Sequence, residues 1–245
     1  MSYDGRLRLL KRSFIGGGEG GFYFRMLDRL QGLAHVDWLD IGIGRDGSSV
    51  AAFADHCRAR GQTMAITGVD PDAVPGDTRD SAVRCTIVRT PFEMWTPTTS
   101  FDVINADQSL YYLQDLPAEI ERMIAALRPG GLLIATCWLR DDTLHRIRQR
   151  LFSEVPTDLV GEGLQQALEA RGELEMVERA VFETQVDVGS FLSDASRLEA
   201  AIRVISRGVP IPVSDAWMRD AAAVLGEFPA LAARRNLALC FRRRS

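Results

Sequence analysis

The chain has 245 residues, of which 46% are hydrophobic and 25% are charged, so it is long enough to bury a full-sized core. No apolar run approaches the ~20 residues of a membrane-spanning helix, and the first residues alternate charge with leucine. We therefore expect neither a membrane protein nor a secreted one. The net charge of -4 argues against a nucleic-acid partner.

The 4 cysteines and 3 histidines are dispersed, without a C-x-x-C motif or ligand-like spacing. Neither a metal site nor a disulfide framework is expected, and the cytoplasm is the predicted compartment. His145 could serve as a general base, but its place among arginines on a helix predicts an exposed side chain instead.

Near the start, a glycine cluster at 16–21 separates two short segments, 6–14 and 22–30, that have apolar residues at helical spacing. The glycines are expected to form a hinge. The aromatic run 22–24 after the hinge could close over a ligand, or could simply dock its helix on the core.

From Val36 onwards, short apolar runs alternate with amphipathic stretches. Strands are predicted at 36–42, 64–70, 82–88, 101–107 and 131–139, with helices at 48–60 and 116–127. This β-α-β order, with strands that are apolar on both faces, predicts a doubly wound parallel sheet.

The second half is mainly helical in pattern. Helices are predicted at 142–152, 158–171, 189–206 and 214–231, and strands at 174–184 and 236–244. We expect the two strands to complete the edge of the sheet and the inserted helices to cover the ligand crevice.

The first predicted strand runs into a glycine-containing loop and then a helix, an arrangement that lets a ligand approach the backbone at the carboxyl end of a sheet. The loop contains Gly42, Gly44 and Gly47. Asp70 ends the next strand, about 20 residues further on, where a carboxylate can accept ribose hydroxyls. The alternative is a tight packing turn with Asp70 in solvent.

The three glycines suit a dinucleotide as well as an adenosyl cofactor. Asp40, two residues before Gly42, discriminates between them, because a carboxylate can hold a cationic amino-acid tail but repels a pyrophosphate. This favours S-adenosylmethionine. A nicotinamide-dependent reductase remains an alternative, although no hydride-transfer pair is visible, and so does a non-catalytic binding protein.

Four segments in order resemble the signature motifs of class I S-adenosylmethionine-dependent methyltransferases: 40–44, 68–71, 101–104 and 127–134. The resemblance implies a Rossmann-like, doubly wound, mostly parallel seven-stranded sheet with an N-terminal helical lid and helical insertions near the C-terminus. It implies one domain over 1–245, with the lid at 1–33, the cofactor-binding core at 34–140, and substrate-covering helices and the final strands at 141–245.

The same resemblance implies roles for individual residues. By this resemblance, the residues that bind the methionine part of the cofactor are Asp40, Gly42 and Gly44, and the residue that binds the ribose is Asp70. Thr90 and Phe92 are expected to contact the adenine, and Asp107 is also assigned to the cofactor. Two departures affect these loops: Asp46 stands where the family has its third glycine, and Pro91 lacks an N–H donor.

The segment 107–118 resembles more narrowly the histamine N-methyltransferase family, which implies that Gln108, Tyr111 and Tyr112 are catalytic and contact the substrate. Asn236, near the last strand, and Tyr23 are also assigned to the substrate. Arg25 falls near the family's amine-binding glutamate, and a cation there favours a carboxylate or phenolate over an ammonium group. Alternatively, Arg25 simply faces solvent.

The predicted activity is methyl transfer from S-adenosylmethionine, which becomes S-adenosylhomocysteine, to a nitrogen of a small molecule, with oxygen or carbon as alternatives. The amide of Gln108 offers a donor and an acceptor, which suits the orientation of a neutral nucleophile. Because the sulfonium is already activated, positioning and desolvation can suffice. The sequence leaves open whether the chain is a monomer or a homodimer.

Overall fold

The computed structural model describes residues 14–15, 19–43, 48–73, 83–153, 159–206, 209–212 and 214–245. The strands are β1 (Phe14–Ile15), β2 (His35–Ile41), β3 (Thr63–Val69), β4 (Val83–Val88), β5 (Phe101–Asp107), β6 (Leu127–Trp138), β7 (Leu174–Asp187) and β8 (Leu231–Arg243). The helices are α1 (Glu19–Asp28), α2 (Ser48–Ala59), α3 (Leu116–Ala126), α4 (Thr143–Leu151), α5 (Gly161–Glu169), α6 (Val188–Phe191), α7 (Ala195–Ile205) and α8 (Asp215–Gly226).

The strands form one sheet in the order β1-β7-β8-β6-β5-β2-β3-β4. The pairs β2–β3, β3–β4, β2–β5 and β5–β6 are parallel, and the short β1 pairs with β7 in antiparallel fashion. The predicted α/β fold with a doubly wound, mostly parallel sheet is therefore confirmed: β2 to β8 are the seven expected strands, and the two-residue β1 adds an eighth at the edge of the described sheet. After β4 the chain returns to the other side of β2, so the strand order reverses between β2 and β5, where open α/β sheets bind their ligands.

The central strands are apolar because helices cover both faces of a parallel sheet. In β5 all residues but the last are buried. At the amino ends of the strands, Arg128 bonds to Asp102 over 2.6 Å and to Asp37 over 2.7 Å. These ion pairs fix the relative positions of β2, β5 and β6 at the end of the sheet opposite the expected site.

Helix α3 begins where Asp115 caps it by accepting a hydrogen bond from the Ala118 amide at 3.1 Å. The strand after it starts at Leu127, earlier than predicted, and its register with β5 shifts between Phe101 and Val103. Gly130, at a φ of +80°, lies in this irregular stretch, which forms a bulge within the strand.

The described residues divide into two compact units. The described residues within Gly18–Cys137, Gly163–Ala180 and Ala238–Ser245 form the core unit. Those within Trp138–Glu162 and Val181–Leu237, together with Phe14 and Ile15, form the helical unit. In the core unit the largest buried side chains include Phe22, Met26, Trp38, Ile104, Met123 and Phe241. In the helical unit one apolar cluster joins α4, α6, α7 and α8, and includes Leu144, Ile147, Phe191, Ile202, Ile205 and Leu225.

Three local predictions are corrected. Phe14 lies in β1 and not in a helix; the remainder of segment 6–14 is outside the described residues. The helix predicted at 189–206 is divided into α6 and α7, because Asp194 caps a new helix at the Arg197 amide. His145 is 2% exposed and not solvent-facing, because α4 is buried on more than one side.

No helix in the described ranges is long and apolar enough to cross a membrane. The division into a lid at 1–33, a core at 34–140 and a covering region at 141–245 remains a prediction. Helix α1 belongs to the core unit, where Tyr23 packs on Phe53 of α2 with ring centroids 4.8 Å apart.

Candidate functional site

The carboxyl ends of β2 and β5 bring two polar side chains face to face. Asp40 and Asn105 are partners in the parallel register of these strands, and both are buried. The Asn105 amide donates to the Asp40 carboxylate at 3.0 Å, and the indole N–H of Trp38 donates to the same oxygen, also at 3.0 Å. A buried carboxylate is thus held in one orientation at the switch point of the sheet.

Asp40 is electrostatically unusual. The pKa of its carboxyl is raised from 3.8 to about 6, mainly by burial and to a smaller extent by the charges of Asp107 and Asp70, against the lowering effect of the two hydrogen bonds. Asp40 on β2 therefore interacts with Asp107 at the end of β5 and with Asp70, which directly follows β3. Such a cluster favours a bound cation, which would relieve their mutual repulsion.

Gly42 turns the chain immediately after β2. Its φ is +79°, and a Cβ built there would lie 2.6 Å from the Cβ of Ser109, which follows β5. Glycine is therefore required both by the backbone conformation and by the close approach of the two strand ends. Gly44, the other glycine assigned to the cofactor, lies outside the described residues.

Asp70 follows directly after β3. Its amide donates to the Val88 carbonyl at 3.1 Å, and its carboxylate accepts a hydrogen bond from the Asp72 amide at 2.7 Å. The local turn therefore fixes the direction of the Asp70 side chain, and this helps to preorganise a carboxylate for a ligand.

Gln108 follows β5 with a φ of +52°, in the described residues the only non-glycine value in the left-handed region. Its backbone amide donates to the Thr136 hydroxyl at 3.1 Å, and its side-chain amide donates to the same hydroxyl at 3.3 Å. Thr136 in turn donates to the Asp107 carboxylate. An uncommon backbone conformation is thus stabilised from the next strand.

The two tyrosines lie in a 3₁₀ turn, Leu110–Tyr112, after this point. Their rings are 4.6 Å apart, and Tyr112 is 42% exposed whereas Tyr111 is partly buried. Glu93, from the turn after β4, accepts a hydrogen bond from the Gln114 amide at 3.3 Å. The loops after β4 and β5 are therefore adjacent.

The two residues assigned to adenine differ in exposure. Phe92 is buried, and the guanidinium of Arg122 lies 5.0 Å from its ring centroid, so its ring is part of the packing between this turn and α3. Thr90 is only partly buried and lies beyond the end of β4. Thr90 is thus the more accessible of the two.

The residues assigned to the substrate on α1 have protein partners. Tyr23 is buried and packs on Phe53, as described above. The Arg25 guanidinium donates to Glu178 at 2.7 Å and 3.0 Å, and 56% of its side chain is exposed. The positive charge of Arg25 is thus balanced by a neighbouring carboxylate.

Asn236 is buried on β8 and belongs to the helical unit, as does His145. The other predicted residues that the structure describes, from Tyr23 to Tyr112, belong to the core unit. Within that unit the strand register places Asp40 opposite Gly68, two residues before Asp70, and opposite Asn105, two residues before Asp107.

Four site residues were missed by sequence reasoning: Trp38, Asn105, Ser109 and Thr136. Asn105 had a detectable signal, because a polar residue in an otherwise apolar buried strand requires a hydrogen-bond partner. Thr136 likewise interrupts the apolar run of β6. The partners themselves were not predictable without the register between strands.

Comparison with known proteins gives a consistent family match. A family profile described as a methyltransferase domain matches residues 7–178. No curated protein matches the chain in sequence.

Solved structures resemble the chain at low identity. N-methyltransferase NodS from Bradyrhizobium japonicum WM9 has 18% identity and a TM-score of 0.50, over 93% of this chain and 97% of NodS. A candidate methyltransferase from Bacillus halodurans C-125 has 11% identity and a TM-score of 0.57, over 91% of this chain and 99% of that protein. The plantazolicin methyltransferase BpumL, solved with S-adenosylhomocysteine and a monoazolic desmethyl analogue, has 13% identity and a TM-score of 0.53, over 99% and 88%. At these identities the likeness establishes the fold.

Proposed function

Because the chain belongs to the methyltransferase-domain family, we propose that it binds S-adenosylmethionine at the carboxyl ends of β2, β3 and β5 and transfers the methyl group to a nitrogen of a small molecule. BpumL carries S-adenosylhomocysteine on a similar fold, and NodS is an N-methyltransferase. Oxygen is the second choice of nucleophile and carbon the third.

The observation that carries this proposal is the place of Asp40, Asp70 and Asp107 at the carboxyl ends of three neighbouring strands, β2, β3 and β5. S-adenosylmethionine has two cationic groups, its ammonium and its sulfonium, and its two ribose hydroxyls can donate hydrogen bonds to a carboxylate. A dinucleotide brings a pyrophosphate, which these carboxylates would repel. The charge of the site therefore favours the adenosyl cofactor over a nicotinamide dinucleotide.

The chain's own groups have complementary tasks. Asp40, fixed by Trp38 and Asn105, would hold the ammonium, and Asp70 the ribose hydroxyls. Gln108, with Tyr111 and Tyr112, would orient the nucleophile. The cofactor itself supplies an electrophilic methyl carbon. The nucleophile's lone pair forms the new bond, the carbon–sulfur pair stays on sulfur, and the amine proton leaves to water, so orientation is the main demand on the protein.

Further parts of the proposal rest on sequence alone. The closer relationship to histamine N-methyltransferase depends on segment 107–118, and the cytoplasmic location depends on the dispersed cysteines. The involvement of Thr90, Phe92, Tyr23, Arg25 and Asn236 in binding is part of the same proposal.

Calorimetric titration tests the cofactor assignment. We expect S-adenosylhomocysteine to bind and NADH to show no heat of binding. Preferential binding of NADH would support a reductase, and binding of neither would support a non-catalytic protein. A screen of amines, phenols and indoles with S-adenosylmethionine, read out as S-adenosylhomocysteine formed, then identifies the nucleophile.

A further inference from the structure

The hydroxyl of Thr136 connects two residues of the site. Thr136 is almost fully buried and lies directly opposite Asp107 in the parallel register of β5 and β6. Its Oγ1 contacts the Asp107 carboxylate, the backbone N–H of Gln108 and the side-chain nitrogen of Gln108. Three polar groups therefore converge on one hydroxyl.

A hydroxyl has one proton, and this fixes the direction of every bond in the group. An ionised carboxylate only accepts, so the hydroxyl proton goes to Asp107. The Thr136 oxygen must then accept from Gln108, which is possible only if the Nε2 end of the amide faces Thr136. The hydrogen-bond network thus assigns the orientation of the Gln108 amide.

The carbonyl end of the amide has no such partner. Oε1 of Gln108 is buried and accepts no hydrogen bond from the part of the chain that the structure describes. A buried acceptor without a donor destabilises the protein, so it is expected to be satisfied by a ligand or by water. This oxygen follows β5, at the carboxyl edge of the sheet where the methyl group is to be transferred.

We propose that Thr136 is a positioning residue that presents Gln108 as a hydrogen-bond acceptor, so that the site selects a nucleophile carrying its own N–H or O–H over a tertiary amine or an aromatic carbon. This inference rests on the proposed function and specifies its substrate class. Sites built to bond a substrate N–H or O–H discriminate strongly against analogues that lack it, because a buried group is then left unpaired.

The positioning role is tested on the unliganded protein by hydrogen exchange of the Gln108 side-chain amide, measured by nuclear magnetic resonance and assigned from the signal lost in Gln108→Met. We expect protection in the wild type and in Thr136→Ser, which keeps the hydroxyl. In Thr136→Val, which has the same shape but lacks the hydroxyl, the side-chain amide of Gln108 should exchange at least tenfold faster. If valine prevents folding, Thr136→Ala is used in its place. Equal exchange in all variants would overturn the proposal.

Selectivity is tested by turnover of four probes: benzylamine and phenol, which carry an N–H or O–H, against N,N-dimethylbenzylamine and 1-methylindole, whose tertiary nitrogen and electron-rich ring carbon can be methylated but carry no such hydrogen. We expect S-adenosylhomocysteine to form with benzylamine or phenol and not with the probes that lack an N–H or O–H. Thr136→Val should reduce kcat/KM for the accepted probe more than Thr136→Ser does. The selectivity would be overturned if turnover were confined to the probes that lack an N–H or O–H, or if neither benzylamine nor phenol were turned over. Failure of the wild type to bind S-adenosylhomocysteine would instead overturn the proposed function and leave the amide-exchange result intact.

Discussion

Asn105 lies directly opposite Asp40 in the register of β2 and β5, and its amide donates to the Asp40 carboxylate at 3.0 Å. This bond favours the charged form of Asp40 and so opposes the effect of burial; the pKa that results from both, and from the neighbouring charges, is about 6. Asn105 therefore helps to keep Asp40 ionised and able to hold a cation near neutral pH.

Replacement of Asn105 by leucine should raise the pKa of Asp40 further. At pH 7 we expect S-adenosylhomocysteine to bind roughly tenfold more weakly or worse, because a hydrogen bond to a charged group is worth about 1.5–3 kcal/mol. The midpoint of the pH dependence of affinity should also move upwards. Gln62→Leu is the matched control, because it removes another buried amide, bonded to backbone carbonyls in the same unit. It should lower stability without moving that midpoint, and an identical pH profile in both variants would contradict the assigned role.

Asp70→Ala should weaken cofactor binding by one to several kcal/mol, because charge-assisted hydrogen bonds to the ribose are lost. Asp72→Ala is the control, since this exposed carboxylate belongs to the same turn. Calorimetry that finds unchanged affinity in Asp70→Ala would remove Asp70 from the site.

Gln108→Ala should reduce turnover more than cofactor affinity, because the side chain is assigned to the nucleophile. The opposite pattern would move Gln108 to the cofactor site. Comparison with Gln108→Gly separates the effect of the backbone conformation from that of the side chain. At a φ of +52°, the glycine variant should be more stable than the alanine variant by about 1 kcal/mol in thermal denaturation.

Gly42→Ala should destabilise the protein by about 1–3 kcal/mol more than Gly61→Ala. Both glycines have positive φ, but a Cβ at Gly42 meets Ser109 at 2.6 Å, whereas nothing lies within 4 Å of one at Gly61. Ser109→Gly should recover part of the loss in Gly42→Ala and none in Gly61→Ala. Equal destabilisation by the two alanines would show that the contact has no energetic importance.

The sequence predicted most of the sheet because buried parallel strands are continuous apolar runs. The limits of β5 agree with the prediction at both ends, and those of β2 and β3 agree within one residue. The prediction was less accurate where turn residues were incorporated into a strand, as in the bulge before Leu132, or where a cap divided a helix, as at Asp194.

The site could be predicted only in part, because its residues meet through strand register. Asp40 and Asp70 were recognisable from their places after apolar runs. The pairing of Asp40 with Asn105, 65 residues away, and of Gln108 with Thr136, 28 residues away, depends on which strands are neighbours and on their alignment. His145 was placed wrongly because the charges beside it in sequence say little about what packs over its helix.

The measurement that most directly tests the proposed cofactor site is calorimetric titration of S-adenosylhomocysteine into wild type and Asp40→Asn between pH 5 and 8. Because the carboxyl retains its proton up to a pH of about 6 in the folded, unliganded protein, wild-type affinity should rise as the pH increases through that value and then level off. As the pH rises from 3.8 to about 6, the unliganded wild type should lose stability, because its folded state binds the Asp40 proton more tightly than the unfolded state does. Asp40→Asn should not show this loss. We predict weak, pH-independent binding by Asp40→Asn. Equal affinity of the two proteins, with the same pH profile, would contradict the assignment of Asp40 as the cation-binding group.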